Sequence, residues 1–380
     1  MDEEPVAAPG AGAPCEAVVY ALPERPLACE YEMESCRLLA RRLASLRGLP
    51  YGGEYCAARH AGRRLYAVPT DTLDRRHAQR LGIRGAQDIF GGVVAHGFVG
   101  TKAITQPLVD PDAAAPAGWA HGFRARTRLA VLRGFTVFDP DDAREAARRL
   151  LACGPLRLKP VHARGGLGQR VVSAPEELDA ALGAFRRDDL ARDGLVIEEN
   201  LTGVVTCSVG RVEVGDLVAT YCGTQRLTRN NHGQAVYGGT RMRVVRGGFD
   251  ALLARVRTPA LRMAVAQART YEAAALAEYP GLVLSRSNYD VAQGRDARGN
   301  WCSGVLEQSW RLGGATPAEV VALEAFTADP RLDAVDSACV EVYGAADDDL
   351  PPDATLLLDA DDPRAGRIRK YTTCREANDA

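Results

Sequence analysis

The stretch Leu156–Val172 reads LRLKPVHARGGLGQRVV, and it predicts the centre of the fold. The apolar residues at either end predict two β-strands, and the glycines between them predict a flexible turn. Lys159 stands near the end of the first strand. Only three of the 47 basic residues are lysines, namely Lys102, Lys159 and Lys370. Because arginine supplies nearly all other basic residues of this chain, each lysine is a candidate for a role that requires a compact point charge, such as contact with a phosphate.

The glycines of this stretch, Gly165, Gly166 and Gly168, are candidates for a ligand-binding loop. Glycine lets the backbone approach a ligand closely, and successive backbone N–H groups can cradle phosphate oxygens. The spacing differs from that of a Walker loop and from the glycine pattern that opens a dinucleotide-binding helix. A flexible hairpin without a ligand therefore explains the glycines alone equally well.

A second feature is the run LVIEENL at residues 195–201. An apolar strand that ends in Glu198 and Glu199 suits a hinge that presents backbone groups to a purine edge and a carboxylate to a polar group. Without other features around it, the run is an ordinary strand end.

A third feature is a pair of acids on two strands joined by a turn at residues 296–300. This hairpin places Asp290 and Glu307 on adjacent antiparallel strands, facing the same cavity. Two carboxylates beside a phosphate site are what Mg²⁺ requires, because it prefers oxygen ligands and keeps waters and substrate phosphates in its shell. Arg311 follows closely and can place a positive charge on a transferred phosphoryl group. Two surface acids without a metal are the alternative for this pair alone.

Composition narrows the class of protein. The net charge of −2 and the isoelectric point of about 6.3 indicate no nucleic-acid partner. No apolar run reaches the ~18 residues that a membrane span needs, and the acidic start is not a secretory signal. The ten scattered cysteines favour reduced thiols, so the expected location is cytoplasmic. The oligomeric state is left open.

Strands alternate with helices in the first part of the chain, which predicts a small α/β domain with a parallel sheet. Later strands follow one another directly, which predicts α+β subdomains with mostly antiparallel sheet. We expect five segments: a disordered N-terminus (1–14), the small α/β domain (15–110), a first subdomain with the glycine-rich loop (119–200), a second subdomain with the metal site (201–344), and a C-terminal appendage (354–380).

The order of these elements resembles the ATP-grasp superfamily, and within it the carboxylate–amine ligases. The sequence as a whole also resembles an uncharacterised bacterial family that is related to the ATP-grasp proteins. The resemblance covers roughly residues 119–330, and residues 15–110 resemble the domain that precedes the ATP-grasp fold. It implies a fold in which two α+β subdomains clasp a nucleotide, with ATP and Mg²⁺ as cofactors. It also implies an enzyme that activates a small-molecule carboxylate as an acyl phosphate for attack by an amine or a similar nucleophile.

Residue by residue, the resemblance implies three sets of contacts. The cofactor contacts are Lys159, Arg164, Gly165, Gly166, Gly168, Gln169, Glu198, Glu199 and Leu201. The metal ligands are Asp290, Glu307 and Ser309. The catalytic residues are Lys159, Arg311 and Arg226, the last because it lies on a strand expected to cross the floor of the cleft.

Three positions depart from the family pattern. Ser309 stands where an Asn is usual. The glutamate that reaches the ribose after the hinge is absent from Gly203-Val204-Val205, so that contact is either missing or supplied by Glu199. A further phosphate-binding lysine, expected near residues 122–134, is missing, and Arg124, Arg126 or Arg128 can replace it. These departures keep two alternatives open: a non-catalytic or regulatory nucleotide-binding protein, and another ATP-grasp chemistry such as a small-molecule kinase or a biotin-carboxylase-like step.

Overall fold

The computed structural model describes residues 14–163, 168–344 and 350–377. Residues 1–13, which were expected to be disordered, lie outside the described residues, as do Arg164, Gly165, Gly166 and Leu167 of the glycine-rich turn. The strands of the described part are β1 (Glu16–Tyr20), β2 (Tyr51–Glu54), β3 (Leu65–Pro69), β4 (Leu73–Asp74), β5 (Gly92–Val94), β6 (Gly134–Val137), β7 (Leu156–Pro160), β8 (Arg170–Val172), β9 (Leu195–Glu199), β10 (Thr202–Val214), β11 (Leu217–Arg229), β12 (Ala235–Arg246), β13 (Val283–Leu284), β14 (Arg286–Arg295), β15 (Trp301–Ser309), β16 (Ala334–Tyr343), β17 (Ala354–Asp362) and β18 (Gly366–Glu376).

The helices are fewer and most are short. They are α1 (Glu30–Leu46), α2 (Ala57–His60), α3 (Arg75–Arg80), α4 (Gly122–Thr127), α5 (Pro140–Leu151), α6 (Pro175–Leu182), α7 (Arg187–Asp193), α8 (Phe249–Arg255), α9 (Pro259–Glu278) and α10 (Thr316–Ala328). Two consecutive 3₁₀ turns, Gly97–Gly100 and Lys102–Thr105, matter for the site described below.

The first domain is built on a parallel sheet in the order β2-β1-β3, as predicted. The leucines of α1 recur on one face, and Leu39 and Leu43 are buried in the core with Val19 of β1 and Tyr66 of β3. Because the carboxyl ends of parallel strands meet at one edge of a sheet, the residues that follow β1 and β3 lie together there. Thr70, for example, accepts a hydrogen bond from the backbone N–H of Leu22 at 3.1 Å.

An antiparallel sheet in the order β6-β9-β7-β8 follows, with α5, α6 and α7 packed against it. The strands predicted on either side of the glycine-rich turn are β7 and β8, which pair directly. The helix α5 begins where the sequence predicts, because the Asp139 side chain accepts the N–H of Asp141 and Pro140 fills the first helical position. This sheet places Lys159 of β7 beside the hinge strand β9.

The largest sheet is antiparallel throughout, in the order β15-β14-β10-β11-β12-β16-β18-β17. One face packs on α1 and α10 and the other on α8 and α9. Small residues along α9, such as Ala264 and Ala268, allow it to approach the sheet closely, and Tyr271 is fully buried there. The segment expected to be a C-terminal appendage supplies β17 and β18 of this sheet. The predicted fold class, a small parallel sheet followed by mostly antiparallel ones, is confirmed.

The four-stranded and eight-stranded sheets meet at the two 3₁₀ turns. Gln308 of β15 donates from its side-chain amide to the carbonyl oxygens of Val99 and Thr101, at 2.9 and 2.6 Å. The second turn also contacts β6 and β9, so one short segment holds the edges of both sheets. No helix in the described part of the chain is long and apolar enough to cross a membrane. Several of the predicted site residues lie where these two sheets face each other, in the region that we call the cleft.

Candidate active site

Lys159 and Glu198 form a buried ion pair at the floor of the cleft. Their charged atoms are 2.9 Å apart, and both side chains are 2% exposed. The Lys159 ammonium also lies 3.5 Å from the carbonyl oxygen of Leu306 on β15. Lys159 therefore points out of its own sheet and across the cleft towards the eight-stranded sheet.

Lys102 supplies a second buried cation at the same place. Its ammonium lies 2.8 Å from a carboxylate oxygen of Glu307, and it donates to the carbonyl oxygen of Ala163 at 2.8 Å. Ala163 stands directly before the glycine-rich turn. The rarity of lysine and the small residues around Lys102 predicted a loop facing the cleft, but the sequence left the role of Lys102 open and the additional lysine was expected near residues 122–134.

The arginines suggested in its place lie elsewhere. Arg126 pairs with Glu278 on the surface, at 2.6 Å, and Arg128 is exposed. Arg124 lines a separate cavity. The cation beside Glu307 is therefore Lys102 and not one of these three arginines.

Asp290 and Glu307 lie on the adjacent antiparallel strands β14 and β15, as predicted, and a β-bulge beside Val291 places them directly opposite each other. One Asp290 carboxylate oxygen accepts hydrogen bonds from the side-chain amides of Gln225 and Asn288, at 2.8 and 2.9 Å. Glu307 is 27% exposed, so its carboxylate is open to the cleft while it contacts Lys102. Their role as metal ligands stays a prediction.

Ser309 stands opposite Asn288, two strand positions beyond the acids. Its carbonyl oxygen accepts a hydrogen bond from the Arg286 guanidinium at 2.8 Å, and its hydroxyl lies 3.4 Å from the same nitrogen. Arg286 also donates to the carbonyl oxygen of Arg311 and forms a fully buried ion pair with Glu319. The arginine thus fixes the backbone that carries both Ser309 and Arg311.

Arg311 connects the large sheet to the first domain. Its guanidinium lies 3.4 Å from a carboxylate oxygen of Asp71, which follows β3. The other oxygen of Asp71 is 3.3 Å from Arg25, which follows β1. A charged cluster therefore lies where the parallel strands of the first domain end, facing the loop after Ser309.

The hinge residues have protein partners in this structure. Glu199 accepts from the backbone and the guanidinium of Arg133, at 3.0, 3.2 and 2.9 Å. Leu201 is buried against Leu132 and Ala292. A contact between Glu199 and a ribose would therefore have to displace Arg133.

The remaining predicted residues do not all lie beside Lys159 and the two acids. Arg164, Gly165 and Gly166 lie outside the described residues. Gly168 has a φ of +68°, a backbone conformation that favours glycine, and Gln169 accepts from Arg157 at 3.1 Å. Arg226 is exposed, and strand alternation places it on the face of β11 opposite to Gln225, which contacts Asp290. The structure does not bring Arg226 to the acids, and its catalytic role stays a prediction.

The sequence of the chain matches a known protein family. A family model described as "Protein of unknown function (DUF3182)" matches residues 19–372. The chain belongs to this family. The curated proteins contain no match.

Solved structures similar to this member of the DUF3182 family include two ligases. Phosphoribosylamine–glycine ligase from Thermotoga maritima has 14% identity and a TM-score of 0.46, over 95% of this chain and 93% of that one. D-alanyl-alanine synthetase A from Vibrio cholerae has 10% identity and a TM-score of 0.43, over 83% and 94%. A RiPP-associated ATP-grasp ligase from Chryseobacterium gregarium, in complex with ADP and a leader and core peptide, has 7% identity and a TM-score of 0.26, over 54% and 55%. At these values the similarity is no evidence about activity. The activity has to be inferred from the side chains of the cleft.

Burial and the surrounding charges shift the pKa values of the two facing acids in opposite directions. Burial raises the pKa of Asp290, and the negative charge of Glu307 raises it further. Burial also acts to raise the pKa of Glu307, but the positive charges of Lys102 and Lys159 outweigh it and leave that pKa below its usual value. Glu307 is therefore the firmly ionised member of the pair, and Asp290 is the acid that a bound cation would stabilise most.

Mg²⁺ fits the donors of this cleft. Among the residues that the structure describes, no group of three or more His, Cys, Asp or Glu side chains could hold a metal by itself. Two carboxylates still suit Mg²⁺, because this ion completes its shell with water and substrate phosphates. Asp290 and Glu307 would hold the ion, and the nearby lysines would bind the phosphates that share it.

The raised pKa of Asp290 predicts how Asp290→Asn changes stability with pH in a chelated, nucleotide-free buffer. The folded state binds this proton more tightly than the unfolded state, so the wild type loses stability as pH rises from the ordinary carboxyl pKa of about 3.9 to the raised value. Asparagine keeps the oxygen that accepts from Gln225 and Asn288 but does not titrate. We expect urea unfolding between about pH 4 and about pH 7 to show that the free energy of unfolding of the variant increases relative to that of the wild type as pH rises. A constant difference at every pH would contradict the assigned shift.

Proposed function

We propose that this protein is an ATP-dependent ligase that activates a small-molecule carboxylate as an acyl phosphate, which an amine or a similar nucleophile then attacks. One observation carries the proposal. The ammonium groups of Lys159 and Lys102 converge on the consecutive residues Leu306 and Glu307, and Glu307 faces Asp290 on the paired strand. Two buried cations beside two acids are what a nucleotide phosphate and its magnesium ion require.

The ion pairs explain how such a site can exist without its ligand. A buried lysine or glutamate without a partner costs several kcal/mol, so each lysine is neutralised by a glutamate, Lys159 by Glu198 and Lys102 by Glu307. When a phosphate takes the place of Glu307 on Lys102, the freed carboxylate is available to a magnesium ion. The same side chains thus serve both the empty and the occupied cleft.

The remaining residues would orient the reactants. Arg311 is held between Asp71 and the backbone of its own loop, where it donates to the carbonyl oxygen of Leu312 at 2.9 Å. From there it would place positive charge against the group that is transferred, and Arg25 would add charge from the first domain. The substrate would therefore lie between the ends of β1 and β3 and the loop after β15.

The second candidate function is a nucleotide-binding protein without catalysis. Two observations favour it: Glu199 is occupied by Arg133, and the hydroxyl of Ser309 lies beside Arg286 and not beside the acids. This alternative predicts nucleotide binding without ADP release in any mixture of substrates.

Thermal unfolding with saturating MgATP tests the nucleotide site. Nucleotide at about 100 times its dissociation constant adds roughly 2.7 kcal/mol to the free energy of unfolding, which raises Tm by a few degrees in a chain of this size. We expect excess chelator or Asp290→Asn to reduce this rise in Tm. Asp296→Asn is the matched control, because Asp296 lies in the exposed turn of the same hairpin and should leave the rise unchanged.

The result also separates the candidate functions. A magnesium-dependent rise justifies assays of ADP release with mixtures of carboxylates and amines, and ADP release supports the ligase. A rise without ADP release in any mixture supports the non-catalytic alternative. No rise in a well-folded sample contradicts both.

A further inference from the structure

A half-open cavity of about 880 Å³ lies on the eight-stranded sheet, on the face opposite to the two acids of the cleft. The pairing of β14 with β10, β11 and β12 places Asp290 level with Met242 on one face of the sheet. Arg241 and Arg243 flank Met242 in β12, so strand alternation directs both to the other face, where they line the cavity. The cavity is therefore separate from the cleft.

The way the helices cover the sheet explains why this cavity exists. On this face α8 and α9 bury an apolar core that includes Cys207 of β10 and Val291 of β14. Further across the sheet, β12, β16 and β18 form the floor of the cavity, and residues 254–258, where α8 ends and α9 begins, form a wall. Ala338 of β16 lies between Arg241 and Thr373 of the neighbouring strands. Its short side chain leaves room for a ligand on the floor.

Positive charge dominates the lining, which contains five arginines and two aspartates in a chain of net charge −2. Three of these arginines, Arg241, Arg257 and Arg375, are exposed and have no hydrogen bond or ion pair among the described residues. Only β16 separates the strands of Arg241 and Arg375, which sets their backbones about 10 Å apart across the sheet. We call this site the arginine cavity. Its unpaired guanidinium groups are accessible from solution.

The two aspartates of the lining do not neutralise these three arginines. Asp336 accepts hydrogen bonds from the Arg243 guanidinium, at 3.0 and 3.1 Å, across the pairing of β12 with β16. Asp353 is exposed and forms no ion pair with them in the part of the chain that the structure describes. Like charges that line one cavity repel each other and attract anions. A ligand with several negative charges would relieve this repulsion.

We propose that the arginine cavity binds a small molecule that carries two or more phosphate or carboxylate groups. One anionic group pairs with Arg241 and a second with Arg375, because arginine binds both kinds of group through parallel hydrogen bonds. Arg257 adds charge from the wall between α8 and α9. The volume is in the range of ordinary small-molecule sites. The inference does not depend on the function proposed above, since no residue of the cleft takes part.

Isothermal titration of the nucleotide-free protein with tripolyphosphate, and in parallel with citrate, tests the site and distinguishes phosphate from carboxylate groups. We expect at least one probe to bind, and Arg241→Gln/Arg375→Gln to weaken its binding about tenfold or more, since charged hydrogen bonds are lost. Neither arginine has a partner among the described residues, so this variant should fold. The matched control is Arg298→Gln/Arg331→Gln, which removes two exposed arginines that do not line the cavity. It should keep the affinity of the wild type.

The cleft also carries positive charge, so the same comparison is made in the variant Lys159→Met/Glu198→Gln, which removes the buried ion pair of the cleft. Binding should persist in this variant and should still be weakened by Arg241→Gln/Arg375→Gln. The proposal is overturned if neither probe binds the wild type at concentrations up to about 10 mM. It is overturned too if the two arginine substitutions leave the affinity unchanged in the Lys159→Met/Glu198→Gln variant, or if that variant no longer binds the probe.

Discussion

Replacing Lys159 with methionine is expected to lower MgATP-dependent turnover about a hundredfold, because a charge that stabilises the transferred phosphoryl group is removed. The same change is expected to lower the free energy of unfolding by roughly 3–5 kcal/mol. The reason is that Glu198, which is 2% exposed, would be left as a buried carboxylate without its main partner. Sequence reasoning alone assigned Lys159 to phosphates and would have expected an unperturbed fold.

A double-mutant cycle separates these two effects. Lys159→Met with Glu198→Gln removes both charges of the buried pair, and we expect it to recover most of the lost stability. It should not recover nucleotide binding, measured as the rise in Tm with MgATP. Glu198→Gln alone shows how much of the binding defect comes from the hinge. Normal turnover of Lys159→Met, or a normal MgATP response of the double variant, would rule out a phosphate contact for Lys159.

The second large effect is expected at the ion pair between Arg286 and Glu319. Both side chains are almost completely buried, and Glu319 accepts from two guanidinium nitrogens, at 2.6 and 3.0 Å, and from the hydroxyl of Tyr221. Glu319→Gln leaves a buried guanidinium without its counter-charge, which should lower the free energy of unfolding by roughly 3–5 kcal/mol. Urea unfolding of the nucleotide-free protein measures this loss.

Arg331→Gln is the control for that experiment. Arg331 also pairs with a carboxylate, at 2.8 Å, but it is 90% exposed, so its removal should change stability by less than about 1 kcal/mol. Because Arg286 holds the backbone of Ser309 and Arg311, Glu319→Gln should also reduce the rise in Tm with MgATP. A loss of stability no larger than that of Arg331→Gln would contradict the structural role of the pair.

The strand pairings of the cleft could be predicted from the sequence. β14 pairs with β15 across a short turn, and β7 pairs with β8 around the glycine-rich turn, as expected. These are pairings between neighbours in the chain, for which local pattern and turn length are sufficient. The turn alone would place Asp290 opposite Leu306, and a β-bulge between the pairs Val291–Val305 and Asp290–Glu307 shifts the register by one residue so that the two acids face each other.

The partners of the charged residues could not be predicted in this way. Lys102 lies in a 3₁₀ turn that has no periodicity, and it reaches Glu307 only because that turn packs against β15. Glu199 was expected to be free for a ribose, but β6 brings Arg133 to it. Arg124 was a candidate for the phosphate site, yet the orientation of α4 turns it towards a different cavity.

The sequence by itself determined the fold class, the hairpin that carries the two acids, and the position of a rare lysine on the strand before a glycine-rich turn. These features depend on side-chain period, turn chemistry and composition, which act over a few residues. Only the tertiary structure decided that Lys102 is the second cation of the cleft, that Glu198 neutralises Lys159, and that Arg311 reaches the first domain. Such pairs join residues far apart in the chain, and their geometry is set by the packing of one sheet against another.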